Sequence, residues 1–180
     1  MLKGKKVLLR PITTSDLPLS LKWFNDPEVI QYLLAYLPMS EIGERKWIEN
    51  LYTKDPATDI VFIIESIEKK GNIPIGTCGL HTINWKDHNA EVGIAIGEKN
   101  YWSRGFGTEA LTLLIDYGFK QLNLHRLYAA AIEFNEKSIK TQKKIGFKVE
   151  GCRKEAIFKN GKYWNMIVTG LLRSNWKKGR

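Results

Sequence analysis

The sequence predicts an α/β (α+β) fold built on a mixed sheet, and three observations carry that reading. Strand-like and helix-like segments mix along the 180 residues without strict βαβ alternation. Residues 125–133 (HRLYAAAIE) are so apolar, with three alanines, that both of their faces must be covered, which puts them inside a sheet. Near the C-terminus, Asn160-Gly161 is a favoured type I′ turn dipeptide joining two strand-like runs into a hairpin.

Residues 7–12 read as the first strand. Thr13, Thr14, Ser15 and Asp16 offer caps for a helix whose apolar face is marked by Leu17, Leu21 and Phe24. Asn25-Asp26-Pro27 stops that helix. A second helix starts near Ser40, where Ser40 and Glu44 approach a capping box, and runs to about Tyr52. Residues 59–66 are a buried strand, Lys69-Lys70-Gly71-Asn72 a turn, and residues 73–83 the returning strand. The polar stretch 84–89 turns into residues 90–97, short and fit for a central strand. Residues 108–123 form a helix with Leu111, Leu114, Ile115 and Leu122 on one face. Residues 135–145 are the last helix, ended by Gly146, and residues 147–158 and 163–172 are the arms of the final hairpin. The expectation is about seven strands and about four helices in one domain spanning residues 1–180.

Composition narrows the function classes. The longest apolar run, Ile60 to Ile64, is too short to span a bilayer. The basic start Met1-Leu2-Lys3-Gly4-Lys5-Lys6 is followed by only three apolar residues before Arg10, so it predicts no signal peptide and a cytoplasmic chain. Cys78 and Cys152 both sit in strand-like contexts and predict a reduced pair of buried thiols. His81, His88 and His125 show no ligand spacing, so no metal is expected. The formal charge of +9 admits a nucleic-acid partner. The basic residues are spread, however, with mild clusters at residues 3–6, 137–148 and 177–180 and no arginine–aromatic alternation. A lysine-rich solvated surface is the preferred reading, with no nucleic acid expected.

The run Tyr101-Trp102-Ser103-Arg104-Gly105-Phe106-Gly107-Thr108-Glu109-Ala110-Leu111 carries the functional signal. Gly105 and Gly107 remove side chains just before an amphipathic helix, leaving backbone N–H groups and a positive helix end aimed at one place. Such a loop cradles an anion, most naturally a phosphate or pyrophosphate. It lacks the Gly-Lys-Ser/Thr ending of a nucleotide P-loop and the third glycine and distant acid of a dinucleotide fingerprint.

This loop resembles the acyl-CoA pyrophosphate loop of the GNAT N-acetyltransferase superfamily, in the form used by its RimJ/RimL-like branch, which is also similar to spermidine acetyltransferases. The family's Gln/Arg-x-x-Gly-x-Gly/Ala pattern is met at both glycines, with Trp102 at the Gln/Arg position. Two further stretches are similar to that branch: Trp23-Phe24-Asn25-Asp26-Pro27-Glu28-Val29, and Asn135-Glu136-Lys137-Ser138 leading to Lys144-Ile145-Gly146-Phe147 and Glu150-Gly151. The resemblance implies a GNAT fold, its mixed sheet splayed near the middle to admit the acyl-pantetheine arm, and acetyl-CoA as co-substrate. It implies that Arg104, Gly105, Phe106, Gly107 and Thr108 hold the pyrophosphate. Ile94, Ala95 and Ile96 would lie along the thioester, and Asn135 and Ser138 would meet the pantetheine arm.

The resemblance also implies direct attack of an amine on the thioester in a ternary complex, and no cysteine in the motifs suggests an acyl-enzyme. The family commonly uses a tyrosine seven residues after the Asn135 position to protonate the leaving thiolate. Here that residue is Gln142, which cannot act as an acid, and Ser138 takes the role by similarity to RimL-like proteins. A catalytic glutamate of that type would fall at Ile157, and Glu155, two residues earlier, shares its strand face if no bulge intervenes. Glu91 and Glu155 are the candidate bases, and a water chain is the alternative to both. The Asn25-Asp26-Pro27-Glu28 segment is a further candidate for the acceptor site. A protein α-amine is the leading acceptor, since neutralising its pKa near 8 costs under about 1 kcal/mol against roughly 4 for a lysine-like amine. A small amine (a polyamine or an amino-sugar nucleotide) and a catalytically silent CoA-binding module are the alternatives, and the protein is expected as a monomer or homodimer.

Overall fold

The structure, a computed structural model, describes residues 1–176, so the basic tail at 177–180 lies outside the described residues. The first half comprises β1 (Leu2–Lys3), β2 (Val7–Pro11), α1 (Leu17–Phe24), α2 (Pro27–Ile30), α3 (Glu41–Asn50), β3 (Ile60–Ser66) and β4 (Ile73–Asn84). The second comprises β5 (Asn89–Ile96), α4 (Phe106–Lys120), β6 (Arg126–Ile132), α5 (Glu136–Ile145), β7 (Lys148–Lys159) and β8 (Lys162–Leu172). The eight strands form one mixed sheet in the order β1-β2-β3-β4-β5-β6-β8-β7.

Two elements exceed the sequence expectation of seven strands and four helices. Leu2–Lys3 pairs with β2 as an edge strand. Pro27, read as a helix stop, also opens α2: Asp26 Oδ1 accepts the Glu28 N–H at 2.9 Å, and proline fits the first helical position because its missing N–H would have had no partner.

Both faces of the sheet are covered, as alternation along β3 shows. Phe62 and Ile64 join the core beneath α4, with Leu9, Leu80, Leu114 and Ile115. Val61 and Ile63 face the other way, against Leu17 and Trp23 of α1 and Ile48 of α3. Between β2 and the start of α1, Arg10 binds the buried Asp16 at 2.6 Å and Glu65 at 2.6 Å. Asp16 also accepts the Thr13 N–H at 2.9 Å. Burial alone would raise the Asp16 pKa, but the Arg10 guanidinium and the Thr13 bonds bring it below its ordinary value.

The feature that positions the site is a break in pairing. β5 and β6 run parallel and pair only between Asn89–Glu91 and Arg126–Tyr128. Beyond that short ladder they diverge, which opens a wedge bordered by Ile94 and Ile96. The expected splay is therefore present. The two cysteines are free but differ: Cys78 is buried and its thiol pKa is pushed up by desolvation, whereas Cys152 is exposed. Expecting two buried thiols was wrong for Cys152, because β7 is the outermost strand of the sheet. Among the described residues no helix is long and apolar enough to cross a membrane.

Candidate active site

The glycine-rich loop enters α4 as the sequence requires. Gly105 is the N-cap residue with φ +87°, in the left-handed region that favours glycine, and no side chain caps the helix. The first amides of α4 therefore have no carbonyl behind them and face a groove of about 540 Å³. Ser103 also adopts positive φ, +59°, which curls the loop just ahead of Gly105.

The groove runs along the splay between α4 and α5. Ile94, Ala95, Ile96, Gly105, Gly107, Thr108, Asn135 and Ser138 all line it. A methyl group added at Gly107 would meet Ile94 Cδ1 at 3.5 Å, so the glycine keeps the groove open at the point where helix and strand approach. Lys137, Lys140 and Lys144 add a basic margin along one face of α5. The ring of Tyr32 reaches across the mouth, with centroids 6.1 Å from Trp102 and 6.2 Å from Phe134.

Two expected loop residues point elsewhere. Arg104 lays its guanidinium over Tyr101 and Phe106, 5.4 and 5.5 Å from the ring centroids, and donates to the Asn100 carbonyl. Phe106 buries its ring in the core and leaves only its amide at the loop. Trp102, at the family's Gln/Arg position, donates from Nε1 to the Ile96 carbonyl at 2.7 Å and so braces the free end of β5. Lys6 supplies a cation the sequence reading missed: its Nζ donates to the Arg104 carbonyl at 3.2 Å.

On α5, Asn135 caps the helix by accepting the Ser138 N–H at 3.2 Å. Ser138 Oγ accepts from Gln142 Nε2 at 3.1 Å, and Gln142 Oε1 accepts from the Thr169 hydroxyl at 2.9 Å. Gln142 is buried, so the residue at the tyrosine position supports Ser138 from the core side.

Neither glutamate chosen from sequence lines this groove. Glu155 sits in an irregularity of the β7–β8 ladder between Arg153 and Ile157, with φ +48°. The same-face argument linking it to Ile157 therefore fails, because a bulge does intervene. Its N–H is held by Asn165 Oδ1 at 2.9 Å, and Asn165 in turn binds the Glu133 carboxylate. Glu91 is the cross-strand partner of His81. In the Asn25–Glu28 segment, the Asp26 and Glu28 carboxylates are engaged by Lys99 at 3.0 and 2.8 Å.

A second cavity, of about 400 Å³, lies against β3, β4 and β5 beneath α1, α3 and the segment after α2. It shares Leu33, Ile94 and Ala95 with the groove, so both open onto the same stretch of β5. On its floor, His81 Nδ1 lies 3.1 Å from Asp59 Oδ1. The ring covers the paired Gly79 and Gly93, where an added Cβ would come within 2.9 and 3.0 Å of Nε2. The sequence reading examined His81 only for metal spacing. The signal for its place was available in those two glycines, on strands expected to be neighbours. Lys159 fixes the segment after α2, donating to the carbonyls of Ile30 at 2.7 Å, Ala35 at 3.3 Å and also Leu33.

A splayed β5, an uncapped glycine loop and a groove between two helices are the geometry of acyl-CoA binding. A family profile described as an acetyltransferase (GNAT) domain matches residues 6–148. The chain belongs to the GNAT acetyltransferase family. It is 33% identical over 169 residues to the spermidine N(1)-acetyltransferase of Escherichia coli K12, covering 93% of this chain and 86% of that protein. It is 31% identical over 158 residues to the mouse alpha/beta-tubulin-N-acetyltransferase 9, covering 82% and 64%. A spermidine N-acetyltransferase from Vibrio cholerae, solved with CoA and spermine, superposes with a TM-score of 0.87 at 24% identity over 96% of this chain and 98% of that one, a likeness of fold. This GNAT protein is thus an acetyl-CoA-dependent N-acetyltransferase.

Proposed function

We propose that the enzyme acetylates a small aliphatic primary amine that enters through the cavity beneath α1 and α3. The observation that carries this reading is the meeting of the two cavities at Ile94 and Ala95. A thioester laid along β5 from the groove side would present its carbonyl to an amine arriving from the other. A volume of about 400 Å³ suits a small molecule. Its lining is chiefly apolar, with Ser20, Thr77, Glu44 and His81 as the polar exceptions, so it offers few partners for the amides of a bound peptide.

In this reading, the RimJ/RimL-like motifs describe how acetyl-CoA is held, and the acceptor cavity favours a small amine over a protein α-amine. The amine nitrogen attacks the thioester carbon, the C–S bond breaks, and the Ser138 hydroxyl passes its proton to the departing sulfur while its oxygen takes a proton back from groove water. The proton leaving the amine passes to His81 Nε2, with Asp59 orienting the ring and Glu91 flanking it across the strands. A protein acceptor, favoured by the likeness to a tubulin acetyltransferase, is the second reading. Thiol release from acetyl-CoA, followed across alkylamines and peptides beginning with Ala, Ser or Met, separates the two. Turnover confined to peptides overturns the small-amine reading.

A further inference from the structure

Within the acceptor cavity one carboxylate is unlike every other buried acid described above. Glu44, in the first turns of α3, is 4% exposed, and its Oε1 has no hydrogen-bond partner. Ser20 of α1 is fully buried on the same cavity wall, near enough for its hydroxyl to act on the Glu44 carboxyl, yet its Oγ makes no well-formed hydrogen bond among the described residues. Asp16 and Glu65, by contrast, share Arg10. Among the described residues, no lysine or arginine lines the cavity.

A carboxylate held in apolar surroundings either keeps a proton or takes a counter-cation, because an unpaired buried charge is strongly disfavoured. Desolvation pushes the Glu44 pKa up, with the Ser20 hydroxyl offsetting part of the effect. The aromatic rings of Phe24 and Trp47 line the same wall, and aromatic faces also attract cations. An alkylammonium has three donors, which would satisfy both Glu44 Oε1 and Ser20 Oγ, and its methylene stem matches the apolar lining.

We propose that Glu44 and Ser20 form a niche that seats a second, protonated amine of the acceptor, at a distance from the nitrogen that is acetylated. The proposal rests on the small-amine reading and narrows it to acceptors with a cationic far end. The sheet floor around His81 and Ala95 takes the reacting nitrogen, and the helical wall takes the other.

The test uses the full chain and three amines of one chain length: diaminobutane, aminobutanol and butylamine. In the wild type, kcat/KM is expected to be highest for diaminobutane. In Glu44→Gln, the diaminobutane-to-butylamine ratio should fall by about tenfold or more, the scale of a lost charge-assisted hydrogen bond. Ser20→Ala should lower the same ratio less. Thermal melting of each variant confirms that it folds. Calorimetric titration of diaminobutane into the CoA-bound protein reads the niche without turnover. Binding by wild type and its loss in Glu44→Gln supports the niche even if none of the three amines is acetylated, an outcome that would strike the small-amine reading alone. Equal use of the three amines by the wild type, an unchanged ratio in Glu44→Gln, or no diaminobutane binding by the wild type overturns the niche.

Discussion

Gln142 donates a hydrogen bond to Ser138 one turn earlier on α5, Nε2 to Oγ at 3.1 Å. Because the serine oxygen accepts there, its own proton is free to point into the groove, and a hydroxyl that accepts one hydrogen bond becomes a stronger donor of another. Ser138→Ala is expected to lower kcat by about 100-fold, the lower range for loss of a positioned acid. The Kd for acetyl-CoA should move far less, and steady-state kinetics beside equilibrium CoA titration checks both.

Gln142→Leu removes the amide partner of the buried Thr169 hydroxyl, which keeps only its bond to the Ala129 carbonyl at 3.3 Å. Stability should fall by about 0.5–1.5 kcal/mol. Activity should fall in the same direction as in Ser138→Ala but less steeply. Urea unfolding and thiol release measured on one preparation test the pair.

Gly105→Ala places a side chain at φ +87°, which disfavours the loop by about 1–2 kcal/mol. Gly107→Val instead fills the groove against Ile94 and Ile96. Gly105→Ala should lower Tm, by roughly 2–4 °C per kcal/mol for a chain of this size. Gly107→Val should raise the KM for acetyl-CoA about tenfold or more, as overpacking a fitted contact costs about 1–3 kcal/mol.

Asp59→Asn leaves the His81 ring without its carboxylate while removing nothing from the CoA groove. A fall in kcat of about tenfold or more with an unchanged Kd for CoA is expected. A parallel loss of CoA affinity would show that Asp59 acts through the strand and not through the imidazole.

Asp16 has a lowered pKa in the folded protein, so its contribution is present above the unfolded-state value and is lost as pH falls through the folded-state value. Melting temperature should decline on acidification below the ordinary carboxylate range. Arg10→Met, which strands two carboxylates, should cost about 3 kcal/mol at neutral pH. It should also flatten that acid limb, as scanning calorimetry across pH would show.

The backbone of the site was legible in the sequence because steric rules wrote it there. Gly105 and Gly107 before an amphipathic helix announced the loop, the alanines of β6 announced a covered strand, and Asn160-Gly161 gave a turn with φ +54° and +79°. The acceptor side was not legible. Glu44 looks like an ordinary first-turn acid, and only the packing of α3 against α1 buries it. Glu155 was misjudged because an irregular ladder cancels the period of two on which its facing was argued. Pro27 carries two opposite meanings, a stop for α1 and a start for α2, and local sequence shows only the first.

Between the groove and the acceptor cavity stands little more than β5, with Leu33, Ile94 and Ala95 exposed to both. A single molecule joining coenzyme A to an amine through the sulfur would occupy both sides at once, and its second half would bind at the high effective concentration set by a very short tether. Such a bisubstrate conjugate should therefore hold the enzyme far more tightly than either fragment. The same thinness means that a displacement of the β5 backbone at Ala95 would reach both chambers together, so the seats of the acyl donor and of the amine are linked at that position.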